Sequence, residues 1–413
     1  MAIVLGIYIA VLGIFCFSNY RKYGFNGATF LIGLYLFGAV AAVLLAFITD
    51  FYEEWRLDVI AILYHSLCLI LFLYPVVYIT NRYLLNFNMP NEKGLKLLQN
   101  IIIGISLFSF ASYLPKIIDV IAVGDFKDAR NMYNYGTLHE EEATGVVGYL
   151  GAIGSALSFF SLYFCFYNLK NNPDKKTLIL LLLICSLTDV LNGLSMVGRG
   201  GIMRWLLMVV FFYLSFYQHI DLKVKKLVNR LLLLLVTPAT IFFLIITVDR
   251  FSSREYPVYV YMLDYIGQSF IYFSYIFDQL YEPTFGGRMN FPILFPGETL
   301  DRNLSEVIYT DYSLNTFATF VGSFYKDMGF VTTLTIAFLF FLTFLLLYRF
   351  SRKPRSFYKL FLFIIFSQMI INGVFYFQYT GTTKIRSFIL LIVLALFFQL
   401  KYKRRLKKQI KGI

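Results

Sequence analysis

Runs of about twenty apolar residues, each long enough to cross a hydrocarbon core about 30 Å thick, recur along the whole chain. Eleven can be read, near 2–18, 28–49, 59–80, 97–115, 145–169, 177–198, 202–218, 231–248, 329–348, 360–380 and 387–400. Lipid leaves every backbone N–H and C=O to be satisfied within its own segment, so spans of this kind are helices. The expected fold class is therefore all-α: a polytopic integral membrane protein of about 11 transmembrane helices, one transmembrane domain over residues 1–413. Charged residues are only 15% of the chain, against roughly 25% in soluble domains. The first run, "MAIVLGIYIAVLGIF", has no basic stretch before it and no small-residue cleavage site after it, so it reads as a span and not as a signal peptide.

The net charge of +13 is unevenly spread. The loops at 19–27, 81–96, 170–176, 219–230, 349–359 and 401–413 are short, yet hold 24 of the 37 Lys and Arg residues. Short basic loops mark the cytoplasmic face. The N-terminus is expected outside, and the tail "KYKRRLKKQIKGI" inside, against anionic lipid. That pattern accounts for the charge without nucleic acid. The four cysteines (Cys16, Cys68, Cys165, Cys185) all lie in apolar runs, which argues against a disulfide framework or a Cys-x-x-Cys metal site. No cofactor is expected.

Two extracytoplasmic segments are large, near 116–144 and 249–328. Inner loops are too short to bind a nucleotide, so energy must come with the substrate or from a gradient. Within the second large segment, residues 258–280 are apolar, rich in Tyr and Phe, and carry Asp264, Gln268 and Asp278. They read as one or two interfacial or re-entrant helices, since a twelfth span would put the basic loop 349–359 outside.

The outer face also gathers cations at segment ends: Arg199, Arg204, Arg250, Arg254, Arg288, Arg302, Lys326, Lys384 and Arg386. Arginine's planar fork grips two phosphate oxygens at once. In "GRGGIMRWLL" the glycines beside Arg199 leave room for a bulky anion near a helix N-terminus, which adds free amides and partial positive charge. An interfacial arginine reaching lipid headgroups is the plainer alternative. In "NTFATFVGSFYKDMGF", Asn315, Thr319 and Tyr325 fall on neighbouring faces if 315–327 is helical. Asp327 reads either as an N-cap for the next span or as a carboxylate that positions or deprotonates a hydroxyl. Asp189 stands at membrane depth in "LICSLTDVLNGLSMVGR", where it marks function or bonds a neighbouring helix. His65, Gln368 and Asn372 are similar. His139, in "TLHEEEATG", is a solvated loop residue or an outer base.

These features together resemble the oligosaccharide repeat-unit polymerases, the O-antigen polymerase (Wzy-type) family. The resemblance rests on "GRGGIMRWLL", on "FGGRMNFP" in the large outer segment, and on Asn315, Tyr325, Asp327 and Gly329 leading into a late span. It covers roughly residues 140–400. Met328 stands where the family often has an aromatic residue. The resemblance implies a GT-C-like bundle in a bacterial cytoplasmic (inner) membrane. It also implies a metal-independent glycosyltransferase acting on polyprenyl-diphosphate-linked oligosaccharides, for O-antigen, capsule or exopolysaccharide. The implied partners are membrane lipids, a chain-length regulator and the flippase of the same pathway. Arg199 and Arg288 would hold diphosphate, and Asp327 or His139 would act on the acceptor. Alternatives are an O-antigen ligase-like transferase, a flippase of lipid-linked sugars, and a metal-dependent polyprenyl-phosphate transferase. The last would lean on Glu53 and Glu54, in a loop (50–58) too short to build a site alone.

Overall fold

The computed structural model describes residues 2–52, 57–124, 128–130, 132, 146–198, 200–251, 255–279, 285–295, 317–377 and 382–411, at some helical positions (among them Arg250, Lys384 and 401–411) by the backbone alone. Thirteen α-helices run along these residues. The first seven are α1 (Ala2–Tyr23), α2 (Gly27–Ile48), α3 (Val59–Arg82), α4 (Glu92–Ala122), α5 (Val146–Asn171), α6 (Lys176–Cys185) and α7 (Thr188–Ser195). The others are α8 (Gly200–Phe216), α9 (Leu222–Phe251), α10 (Val258–Gln279), α11 (Thr319–Phe344), α12 (Phe357–Asn372) and α13 (Thr382–Lys411). Among the described residues the only β-pairing is an isolated bridge between Thr319 and Tyr376. Local chemistry sets several starts: the side chains of Asn26, Asp58 and Asn91 cap α2, α3 and α4 by accepting from the amides of Thr29, Ile60 and Gly94.

Among the described residues, eight stretches of helix are long and apolar enough to cross a membrane, and so define a polytopic membrane protein. Of the three further runs expected as spans, 231–248 lies in α9, whose side chains are described only in part. The run at 360–380 gives the 16-residue α12, and that at 387–400 lies in α13. The run at 177–198 is interrupted: α6 stops at Cys185, and the Ser186 hydroxyl between the two helices accepts from the Trp205 indole at 2.9 Å.

The chain packs as two compact units. The first comprises Met1–Tyr83, Glu255–Pro354 and Ile365–Ile385, the second Leu84–Arg254, Arg355–Ile364 and Arg386–Ile413. In the second, α4, α5, α7 and α8 pack closely around Phe159, Phe160, Tyr163, Trp205 and Phe212, all of them buried.

In the first unit α10 is a single helix. Near its start Asp264 accepts from the Tyr52 hydroxyl, just beyond α2. Further along, the Ser274 hydroxyl accepts from the Asp58 amide at the head of α3 (2.8 Å), and Phe277 packs on Tyr64. Both ends of α10 thus meet the loop that joins α2 to α3, while its middle sinks between helices, with Phe270 and Phe273 fully buried. The stretch expected as one or two interfacial or re-entrant helices is thus one helix of 22 residues.

Helix α11 also folds back on itself. Gly329 takes φ 74°, ψ −174°, a conformation outside the helical region and open to glycine. The Phe72 ring lies 4.9 Å from both Phe320 and Phe340, residues that an unbroken helix would hold about 30 Å apart. Residues 319–328 therefore form a limb antiparallel to 330–344, and the expected span at 329–348 starts at the observed break. The limb begins deep, where Thr319 bonds His65 (2.9 Å) and His65 bonds Tyr8 (2.7 Å). Its first amides are satisfied by unwound chain beyond α12: Thr319 donates to Phe375 O (3.1 Å) and Phe320 to Gly373 O (2.8 Å).

Close approach of α10 to α2 requires Gly267, where an added methyl would lie 2.6 Å from the Ala42 nitrogen and 2.8 Å from the Ala41 carbonyl carbon. Gly267→Ala should destabilise the detergent-solubilised protein by about 1–3 kcal/mol through overpacking. Gly6→Ala, whose methyl meets nothing within 4 Å, should stay within about 0.5 kcal/mol. Equal thermal midpoints for the two variants would separate α10 from α2.

Candidate functional site

Two sequence features far apart in the chain, "FGGRMN" and "YKDMG", meet in the first unit. The Asp327 side chain is fully buried, and both its oxygens face the loop at 285–290. Oδ1 accepts from the amides of Gly287 (3.1 Å) and Met289 (3.3 Å), and Oδ2 from that of Asn290 (2.8 Å). The Asp327 carbonyl takes the Phe285 amide (3.3 Å), and the Asn290 side chain donates to Ser323 O (2.8 Å). A carboxylate in a ring of amides is a strong, charge-assisted anchor. The loop can bend this way because Gly286 and Gly287 take φ 59° and 94°. Arg288 is left exposed at its crest, with its guanidinium 5.6 Å from the Phe295 ring.

This arrangement corrects the expected role of Asp327. It neither caps the following span nor offers a free oxygen to a hydroxyl, because the loop amides occupy it. Tyr325 and Lys326 are also turned inward. Tyr325, 3% exposed, stacks on Phe277 and donates to the Phe277 carbonyl (3.2 Å). Lys326, 3% exposed, lies over the Tyr272 ring at 4.4 Å. Of the cluster expected to face a substrate, Arg288 alone is exposed in this loop.

The second unit holds a buried ion pair. Arg204 grips Asp189 with two bonds, Nε to Oδ2 at 2.7 Å and Nη2 to Oδ1 at 3.1 Å, and the Ser155 hydroxyl donates to Oδ1 at 2.8 Å. The fork expected to grip phosphate is thus taken by a carboxylate, with the Arg204 side chain 13% exposed. The pair ties α7 to α8 where backbones touch: a methyl on Gly193 would lie 3.0 Å from the Gly201 nitrogen, and one on Gly201 would strike the Asp189 carbonyl. The turn between these helices closes with the Gly198 amide on Gly193 O (2.8 Å), and places Val197 at φ 52°, a costly conformation for a β-branched residue. Arg130 donates to the Met196 carbonyl at 2.6 Å, a cation at a helix C-terminus.

Arg199, His139, Arg254, Asn315, Arg302, Glu53 and Glu54 lie outside the described residues. Arg250 sits near the end of α9 and Lys384 near the start of α13, each described by its backbone alone, and Arg386 is exposed. Sequence reasoning missed the clamp on Asp327, the Asp189–Arg204 pair, Arg130 and two tyrosine–carboxylate bonds. In one of these, Tyr256 donates to exposed Asp50 (2.6 Å), which holds the Asp50 carboxyl below its usual range and pushes Tyr256 up to about 12. In the other, burial and then Asp264 raise Tyr52 further. One signal for the ion pair was present: an acid and an arginine in neighbouring apolar helices each need a partner.

The helices and their buried charges define the chain as a polytopic helical membrane protein. No protein-family model, no curated protein and no solved structure matches it.

Two outcomes are expected. Asp327→Asn, which turns one acceptor into a donor, should speed amide hydrogen exchange across 285–291 and leave exchange in α1 unchanged; unchanged exchange in that loop would mean the clamp does not hold it. Asp189→Leu alone should cost about 3–5 kcal/mol by leaving a buried guanidinium unpaired, while Asp189→Leu with Arg204→Met should recover most of that loss. Equal stability of the single and double variants would count against the pair.

Proposed function

We propose that this protein polymerises lipid-linked oligosaccharide repeat units on the outer face of a bacterial cytoplasmic membrane. The growing glycan would leave its polyprenyl diphosphate as the anomeric C–O bond breaks. A new C–O bond would form to a hydroxyl of the next lipid-linked unit, whose proton is released. One observation carries this reading: the two motifs that resemble the polymerase family, "FGGRMN" and "YKDMG", are bonded to each other through Asp327. Arg288, exposed on that clamped loop, is the cation offered to the diphosphate, stabilising charge as the leaving group departs. Asp327 acts through Arg288, as the residue that fixes the loop. The transfer needs no nucleotide, since the energy is carried by the donor.

A second reading, a flippase of lipid-linked sugars, is favoured by a specific observation: the buried limb at 319–328 is bonded to unwound chain at 373–375, an arrangement like the broken helices of transporters.

Surface polysaccharide from a null strain complemented with variants tests both. Wild type should restore a ladder of chain lengths. Arg288→Ala, present in the membrane at wild-type level, should leave a single repeat, in keeping with the roughly 10²–10³-fold loss typical of removing one charge-stabilising donor. Asp327→Asn should give shortened ladders. Full ladders from Arg288→Ala would remove Arg288 from the chemistry. A null strain that makes no surface repeat, with lipid-linked units held inside, would favour the flippase.

A further inference from the structure

Three helices of the first unit finish together in a patch of positive charge. His65 of α3 bonds Tyr8 of α1 (2.7 Å), and further along Asn81 donates to Asn19 (2.8 Å), so α1 and α3 run in the same direction and end side by side. The second limb of α11 runs parallel to α3, with Phe330 stacked on Tyr64 at 4.4 Å and Phe340 at 4.9 Å from Phe72. The segments at this end, 19–27, 78–83 and 345–354, hold Arg21, Lys22, Arg82, Arg349, Arg352 and Lys353 and no Asp or Glu. Asp50, Asp58 and Asp264 of the same unit are engaged at the opposite end, on or beside the loop that joins α2 to α3. Both ion pairs among the described residues, Lys175–Glu92 and Arg204–Asp189, belong to the other unit.

Two of these cations meet at one tyrosine. Lys22 and Tyr23 follow Asn19 by three and four residues, which turns them to the α3 side of α1. The Arg82 guanidinium lies 5.0 Å from the centre of the Tyr78 ring and reaches the Tyr23 side chain, while the Lys22 ammonium lies 5.3 Å from the Tyr23 ring. Two like charges gathered in this way repel until an anion comes between them. Arg82 also heads a strip along α3. Tyr78 and Tyr74, four and eight residues before it, are half-buried, with their rings stacked 6.2 Å apart. A ligand that fits carries a phosphate at the level of the cations and an apolar tail that runs over the two rings toward the middle of the bundle. We propose that Lys22 and Arg82 bind the phosphodiester of an anionic phospholipid, with an acyl chain lying along Tyr78 and Tyr74. Arg82 grips two phosphate oxygens at once, and Lys22 adds a point charge. The site does not depend on the glycan reading.

The test is thermal unfolding of the purified full-length protein in a neutral detergent, titrated with dioleoyl phosphatidylglycerol, dioleoyl phosphatidylcholine or inorganic phosphate at equal ionic strength. Phosphatidylglycerol should raise the wild-type midpoint saturably, by a few degrees, as expected of a ligand that binds only the folded state. Phosphatidylcholine and inorganic phosphate should not. Lys22→Gln with Arg82→Gln should abolish the rise and leave the lipid-free midpoint within about a degree of wild type, since both side chains are exposed. Lys223→Gln with Lys226→Gln, which removes two exposed cations of the other unit, should keep the full rise. An equal loss in the two double variants would reduce the effect to net charge and overturn the site, as would a full response without Lys22 and Arg82. A wild-type rise as large with phosphatidylcholine or with inorganic phosphate would overturn the choice of an anionic lipid. If the first double variant fails to accumulate, Arg82→Gln alone should need several-fold more phosphatidylglycerol for half the rise, and an unchanged titration would overturn the proposal.

Discussion

A peptide N–H or C=O without a partner costs several kcal/mol away from water, and a membrane supplies no water to pair with it. Two departures from continuous helix among the described residues are paired with other protein groups in this way. Where α11 folds back at Gly329, the clamp between Asp327 and the loop at 285–290 secures one end of the limb. Its other end docks on unwound chain through Thr319 and Phe320. At the interruption between α6 and α7, the Ser186 hydroxyl takes the Trp205 indole and donates back to Leu183 O at 2.6 Å. Breaks expose polar backbone, and these are also the places where chemistry is possible.

The same constraint governs charge. Asp189 and Arg204 are tolerated in an apolar bundle because each satisfies the other and Ser155 completes the set. Glycines at 193 and 201 bring the two helices close enough for a two-pronged bond. Neutralised in this way, Arg204 becomes part of the scaffold. In the first unit the division of labour is similar: Asp327 is enclosed and holds the loop, while Arg288 is displayed.

Much of the fold was legible in the sequence, because the length of an apolar run is a direct statement about crossing a bilayer. The stretch at 258–280, read as one or two helices, is a single helix, and the expected start of a span at 329 coincides with the Gly329 break. What could not be read is pairing at long range. Nothing local to Asp327 says that amides forty residues earlier will close on it, so a helix cap and a general base both stayed open. The inward turn of Tyr325 and Lys326 is equally invisible, since aromatic neighbours on α10 bury them. The two motifs were visible by resemblance; their contact was not.

The fold-back limb also sets an order of assembly. Its first amides, those of Thr319 and Phe320, bond to carbonyls of Phe375 and Gly373, more than fifty residues later in the chain. During synthesis those partners do not yet exist when residues 319–328 leave the ribosome, and the second limb can insert on its own apolar strength. The limb must wait at the surface or in a protected passage until α12 has entered the membrane. The loop at 285–290, clamped to the limb's far end, can reach its final form only after that. The part of the molecule that displays Arg288 is thus among the last to be built, which ties a finished loop to a complete set of later helices.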